Sequence, residues 1–254
     1  MDLRESDPNQ EIYIIYLNRP FNFKVISVLH NLAYYTMMAD GAANRFHDTF
    51  RAADYQDEII PDSLVGDFDS IRKDVMKYYK DRGVQIIHDH SQDDNDFEKC
   101  MRHLQQKFME EDRYSPEKQY KILITGSLGG RLDHTLNNIH ILHKYAERYK
   151  KYENVTIQMM DNNSLGTCIL PGKTIYMRSK EFEFGTGCGV FPLLGGKVEL
   201  ETKGLKWNIS KATPMSFKDF VSSSNEMAED IIEFETNSTL FWTTTNKITK
   251  KTER

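Results

Sequence analysis

At 254 residues the chain suits one large domain or two modest ones, and its 39% hydrophobic and 11% aromatic content can fill packed cores. A formal charge of -5 gives no electrostatic footing for nucleic acid, and no apolar run approaches the ~20 residues needed to cross a bilayer. Three cysteines, odd in number and without a CxxC pair, read as free thiols of a reducing compartment.

The opening "MDLRESDPNQ" is polar and has no apolar stretch of the kind a secretory signal needs. A cytoplasmic protein is therefore expected, and the four Asn-x-Ser/Thr sequons carry no weight. Up to Asp161 the pattern alternates between strand and helix, the signature of βα repeats on a parallel sheet. "EIYIIYL" is a continuously apolar strand of the buried kind. "YYTMMAD" is a second strand, ending at Asp40, and "DSLVGD" is a third. "IRKDVMKYYKDRG" follows as a helix from Ile71, with Val75, Tyr78 and Tyr79 on its apolar side and Gly83 as its stop. After a fourth strand, "VQIIH", comes a helix with Phe97, Cys100, Met101, Leu104 and Phe108 on one face. "YKILIT" leads into a helix whose spacing aligns Leu132, Leu136, Ile139, Leu142 and Ala146, and "NVTIQMM" closes the series.

Beyond Asp161 the runs are short, alternating and split by Gly, Pro and Asn: "GTCIL", "TIYMR", "EFEFG", "CGVFPLL", "KVELE", "DFVSSS", "DIIEFET" and "TLFWTTT". They predict an all-β sandwich or barrel-like domain with no helix. The expected architecture is α/β plus all-β: a Rossmann-like parallel-sheet domain over 11–161 and a β-sandwich over 162–254. The tail "NKITKKTER" reads as frayed.

Ligands of open α/β sheets bind beyond the carboxyl ends of the strands, where this chain places its acids and glycines. "ADGAANR", "GDFDS", "SQDDNDFEK" and "TGSLGGRLDH" follow strands two to five in turn. If "GDFDS" is extended, Asp67 and Asp69 point the same way and repel unless a cation lies between them. Three readings stay open for it: a helix N-cap at Asp69 or Ser70, a Mg²⁺ site, or the nucleophile motif of dehalogenase-type phosphatases. Asn95 and Glu98 have the spacing of a capping box, and Asp96 suits the helix dipole, which leaves Asp93 and Asp94 unexplained. His88 and His90, without cysteine partners, read as strand or surface residues and not as zinc ligands. "TGSLGGRLDH" has neither Walker nor GxGxxG spacing, yet a glycine loop before a helix favours phosphate. Arg131 is its natural ligand, and Asp133 either caps the helix or holds Arg131. Trp207 in "GLKWNIS" reads either as a core aromatic or as an exposed surface for stacking a cationic ring.

In order and spacing, "ADGAANR", "GDFDS", "QDDNDFEKC", "GGRLDH", "GLKWNIS" and "VSSSN" closely resemble the thiamine pyrophosphokinase family, its eukaryotic form in particular. The resemblance runs from about Ile12 to Trp242. It implies an enzyme, an ATP:thiamine diphosphotransferase that uses Mg²⁺ and ATP to make thiamine diphosphate and AMP. It also implies a homodimer with thiamine held between the α/β domain of one subunit and the β domain of the other. Carried over by position, it makes Asp67, Asp69, Asp96 and Arg131 catalytic, with the three aspartates holding the metal. Asp40, Gly41, Asn44, Arg45, Gln92, Asp93, Asn95, Lys99, Gly129 and Asp133 fall at nucleotide positions. Trp207, Asn208, Ser222, Ser224 and Asn225 fall at thiamine positions. Ala42 and Ser127 stand where the family often has glycine, and Asn95 where it often has threonine.

Overall fold

The structure, a computed structural model, describes residues 9–52, 60–110, 114–178 and 184–246. The chain divides into two compact units, Met1–Met160 and Asp161–Arg254.

The first unit is built on strands β1 (Gln10–Tyr16), β2 (Tyr35–Ala39), β3 (Ser63–Gly66), β4 (Gln85–His88), β5 (Gln119–Thr125) and β6 (Val155–Met160). They pair in parallel in the order β6-β5-β1-β2-β3-β4. β2 and β3 are buried at every position, as strands covered on both faces must be, whereas edge strand β4 exposes its two terminal residues. Helices α1 (Phe23–Leu32), α2 (Ala42–Ala52), α3 (Lys73–Asp81), α4 (Asp96–Glu110) and α5 (Leu132–Tyr149) connect them.

α1 and α2 are additions to the sequence reading. Asn22 starts α1 by accepting from the backbone N–H of Lys24 at 3.0 Å and of Val25 at 3.4 Å. α2 begins inside "ADGAANR", where Ala42 is its first residue. The α4 stripe is as expected, with Phe97, Cys100, Met101, Leu104 and Phe108 all buried. Two expectations need correction. α3 begins at Lys73, with Arg72 at its N-cap and no side-chain cap, so neither Asp69 nor Ser70 caps it. In α5, Leu132 and Leu136 are exposed, and the buried face carries Asn138, Ile141, Leu142, Tyr145 and Tyr149. Of the expected stripe only Leu142 is fully buried, with Ile139 and Ala146 half-buried, so the periodicity read from Leu132 is rotated away from the buried face.

The second unit contains β7 (Ser164–Ile169), β8 (Gly172–Met177), β9 (Phe184–Pro192), β10 (Leu200–Lys203), β11 (Ser222–Glu226), β12 (Ile231–Thr236) and β13 (Leu240–Asn246). Its antiparallel sheets run β11-β9-β13-β7 and β10-β12-β8. Trp242 on β13 contacts Phe234 of β12 and Tyr176 of β8 at ring separations of 5.0 and 5.7 Å, closing a sandwich core. No helix occurs among its described residues. The first three residues of "EFEFG", and the tail beyond 246, lie outside the described residues.

Candidate functional site

Three strand ends assemble an acidic centre. Asp40 follows β2 and is 1% exposed. Its approach to β3 requires Gly66, where a Cβ would lie 2.7 Å from the Asp40 Cβ. β3 stops at Gly66, and Phe68 then takes φ 63°, a left-handed turn uncommon outside glycine. Asp67 and Asp69 are therefore not brought together by strand alternation. The turn does it, with the Asp69 N–H donating to Asp67 Oδ1 at 3.4 Å. Asn44 fixes the same loop from α2: its Nδ2 donates to the Ser70 carbonyl at 2.9 Å and its Oδ1 accepts from the Arg72 N–H at 3.0 Å.

Asp40, Asp67 and Asp69 present carboxylate oxygens that all lie within 4.8 Å of one another. Asp40 Oδ2 accepts from the Ser70 N–H at 3.3 Å, while its buried Oδ1 has no hydrogen-bond partner. Burial, followed by the charge of Asp96, raises the Asp40 carboxyl to about 6. An orphaned buried oxygen beside two more carboxylates fits a hard divalent cation.

Asp96 stands apart from this trio, with Oδ1 3.6 Å from Lys99 Nζ, and burial raises its pKa. Lys99, 2% exposed, places Nζ 3.0 Å from Asp67 Oδ2. Burial alone would depress Lys99, but Asp67 and Asp96 hold it above the usual lysine value. The Lys99 bond lowers the Asp67 pKa, and Gln92 Nε2 adds a donor at 3.3 Å. Asn95 is the α4 cap, accepting the Glu98 N–H at 2.9 Å, while the Glu98 carboxylate pairs with Lys144. Asp94 has a structural partner in Arg102, which also holds Asp89, and Asp93 is exposed. His88 Nε2 donates to the Asp67 carbonyl at 3.0 Å, and neither it nor His90 joins a metal-binding group among the described residues.

The glycine loop follows β5. Gly126, Gly129 and Gly130 take φ values of 72°, 78° and 68°. Ser127 is buried and ties two strand ends together, donating to the Ile124 carbonyl at 2.8 Å and accepting the Met160 N–H at 3.2 Å. Arg131 occupies the α5 N-cap position without a capping bond, and Asp133 holds its guanidinium at 2.6 and 3.2 Å. Asp133 thus orients Arg131 and does not cap. Sequence reasoning missed Asn18 and Arg19 after β1. Asn18 Oδ1 accepts from Arg45 Nε at 2.8 Å and packs against Gly41. A polar pair directly after the apolar run "IYIIYL" was the available signal.

In the second unit, Trp207, Asn208, Ser222, Ser224 and Asn225 share one open cleft of about 440 Å³. Asn225 locks it: its Oδ1 accepts the Trp207 N–H at 3.3 Å, and its Nδ2 donates to the Trp207 carbonyl at 2.8 Å. Asn208 Oδ1 accepts from the Leu205 N–H at 3.1 Å and Thr202 Oγ1 at 3.3 Å. The indole of Trp207 is 54% exposed, with Lys206 Nζ 4.6 Å from its centroid. An exposed, backbone-anchored indole is suited to stacking.

The family model "Thiamin pyrophosphokinase, catalytic domain" matches residues 26–157, and "Thiamin pyrophosphokinase, vitamin B1 binding domain" matches residues 174–241. Thiamine pyrophosphokinase 2 of Arabidopsis thaliana is 31% identical over 84% of this chain and 78% of its own length. Thiamine pyrophosphokinase 1 of rice (Oryza sativa subsp. japonica) is 32% identical over 85% and 80%. The crystal structure of yeast thiamin pyrophosphokinase matches the fold with a TM-score of 0.83 over 98% of this chain and 90% of that one, at 23% identity.

Proposed function

Given that the chain belongs to the thiamine pyrophosphokinase family and is a thiamine diphosphokinase, we propose that Asp40, Asp67 and Asp69 hold Mg²⁺ and that the aspartate and glycine loops bind ATP. The buried, unpartnered Asp40 Oδ1 beside the Asp67–Asp69 turn carries this reading. When bound, Mg²⁺ neutralises phosphate oxygens that would otherwise be repelled by the acids. Asp40 thereby moves from the nucleotide positions to the metal, and Asp96 from the metal to its edge.

The reaction joins the thiamine hydroxyl oxygen to the β-phosphorus of ATP and breaks the bond between that phosphorus and the oxygen bridging to the α-phosphorus, so AMP leaves. Phosphoryl-type transfer of this kind needs mainly positioning and charge balance. Asp96 accepts the hydroxyl proton, its basicity supported by burial and by the neighbouring carboxylates. Lys99 keeps Asp67 ionised and oriented. Arg131 neutralises the phosphates, with Asp133 aiming it, and Gly41, Asn44, Arg45, Gln92, Asp93, Asn95 and Gly129 shape or line the nucleotide site. Trp207 stacks on the cationic thiamine, with Asn208, Ser222, Ser224 and Asn225 around it.

The same reading includes the two domain roles, nucleotide binding in 11–161 and thiamine binding in 162–254. It also includes a cytoplasmic homodimer whose thiamine site spans two subunits. The exposed Trp207 and the absence, among described residues, of a helix able to cross a membrane are compatible with it. A dehalogenase-type role for Asp67 as nucleophile gains nothing from the site, because Lys99 and Gln92 already engage its Oδ2. The functional test is nucleotide product analysis: AMP must accumulate only with thiamine present, and ADP formation would contradict the reading. Sedimentation velocity tests the dimer, which a monomeric active enzyme would exclude.

A further inference from the structure

We propose that Arg19, on the loop after β1, binds the phosphates of ATP beyond the first; the assignment rests on the diphosphokinase reading. β1 lies between β2, which Asp40 follows, and β5, which the glycine loop follows. Residues leaving β1 therefore emerge between the acidic centre and that loop. Asn18 lies against Gly41, the residue after Asp40: a Cβ at Gly41 would lie 2.6 Å from its Nδ2. Arg19 faces the loop. A Cβ at Gly126 would meet the Arg19 Cβ at 3.0 Å, and one at Gly130 would fall on the guanidinium, with even Nη2 only 2.7 Å away. Gly130 is thus needed twice, for its left-handed backbone and for the space the guanidinium fills.

The two arginines at this loop differ in what they hold. Arg131 is already clasped by Asp133 and 70% exposed. Arg19 is only partly exposed, and its guanidinium makes no hydrogen bond or ion pair among the described residues. A cation seated without a carboxylate, beside a glycine loop and opposite a cation-binding acid cluster, is complementary to a polyphosphate. The planar fork can meet two phosphate oxygens at once. Mg²⁺ at the aspartates serves one side of such a chain of phosphates, and Arg19 serves the other. AMP, which lacks the outer phosphates, gains nothing from Arg19, so the contact favours substrate over product.

The test is an equilibrium titration of AMP, ADP and ATP against the full-length wild-type protein, Arg19→Ala, Arg19→Lys and Gly130→Ala, with circular dichroism confirming the fold of each. Arg19→Ala should weaken ATP about 10- to 100-fold, the worth of one charged hydrogen-bond pair, and leave AMP within about threefold. Arg19→Lys should lose less, since the charge remains. Gly130→Ala should act in the same direction by displacing the guanidinium, and should add little in the Arg19→Ala background. Equal losses for AMP and ATP, or no loss for either, would overturn the assignment. Should wild type release no AMP in response to thiamine, the diphosphokinase reading would fail by itself, and the nucleotide series would still decide the role of Arg19.

Discussion

Lys99 Nζ and Asp67 Oδ2 meet at 3.0 Å with the lysine 2% exposed, so the acid that follows β3 is tied to a cation on α4. Removing one partner leaves an uncompensated charge in a mostly buried position. Lys99→Met should cost about 3 kcal/mol of stability in urea unfolding. The double variant Lys99→Met, Asp67→Asn should recover part of it. Additive losses would show that the pair is not coupled.

Gly66 tests the acidic centre without altering an acid. A Cβ there would lie 2.7 Å from the Asp40 Cβ. Gly66→Ala should cost about 1–3 kcal/mol through overpacking and lower kcat more than Tm alone explains. Normal activity would mean that Asp40 tolerates displacement.

Trp207→Ala should raise the KM for thiamine far more than the KM for ATP. Because the indole is 54% exposed, stability should change by only about 0.5 kcal/mol. Equal effects on both substrates would indicate a folding role.

Acid stability should depend on Asp89. Burial opposes its ionisation, but Arg102, the Ser91 N–H and His103 together hold it down to about 2 from an ordinary 3.8. A depressed carboxylate contributes fully above its unfolded value. The contribution, about 2 kcal/mol, is lost as pH falls from about 4 towards 2. Asp89→Asn should flatten the stability profile across that window and lower stability at pH 7. An unchanged profile would remove the pair from the account.

Much of this was legible in the sequence because it depended on local pattern. The buried parallel strands announced themselves as apolar runs, and the α4 stripe at Phe97, Cys100, Met101, Leu104 and Phe108 followed helical spacing into the core. The motifs fell at strand ends that the parallel order then brought side by side. What depended on backbone exceptions was not legible. The φ of 63° at Phe68 joins Asp67 to Asp69 through a turn, where the sequence suggested strand alternation. Asp40 enters the acidic trio because Gly66 lets two strands approach, a tertiary fact with no local signature. Arg102, in the second turn of α4, satisfies Asp94 just ahead of that helix, so an acid that the sequence left unexplained proves structural. Arg19 needed the spatial order of β1 and β5 to acquire meaning.

The most direct test of the central claim, that Asp40, Asp67 and Asp69 form one cation site, is Mn²⁺ binding followed by electron paramagnetic resonance in wild type, Asp40→Asn and Asp69→Asn. Both variants should fold, bind Mn²⁺ at least about tenfold more weakly and lose turnover. Wild-type Mn²⁺ affinity in a folded Asp40→Asn protein would contradict the claim.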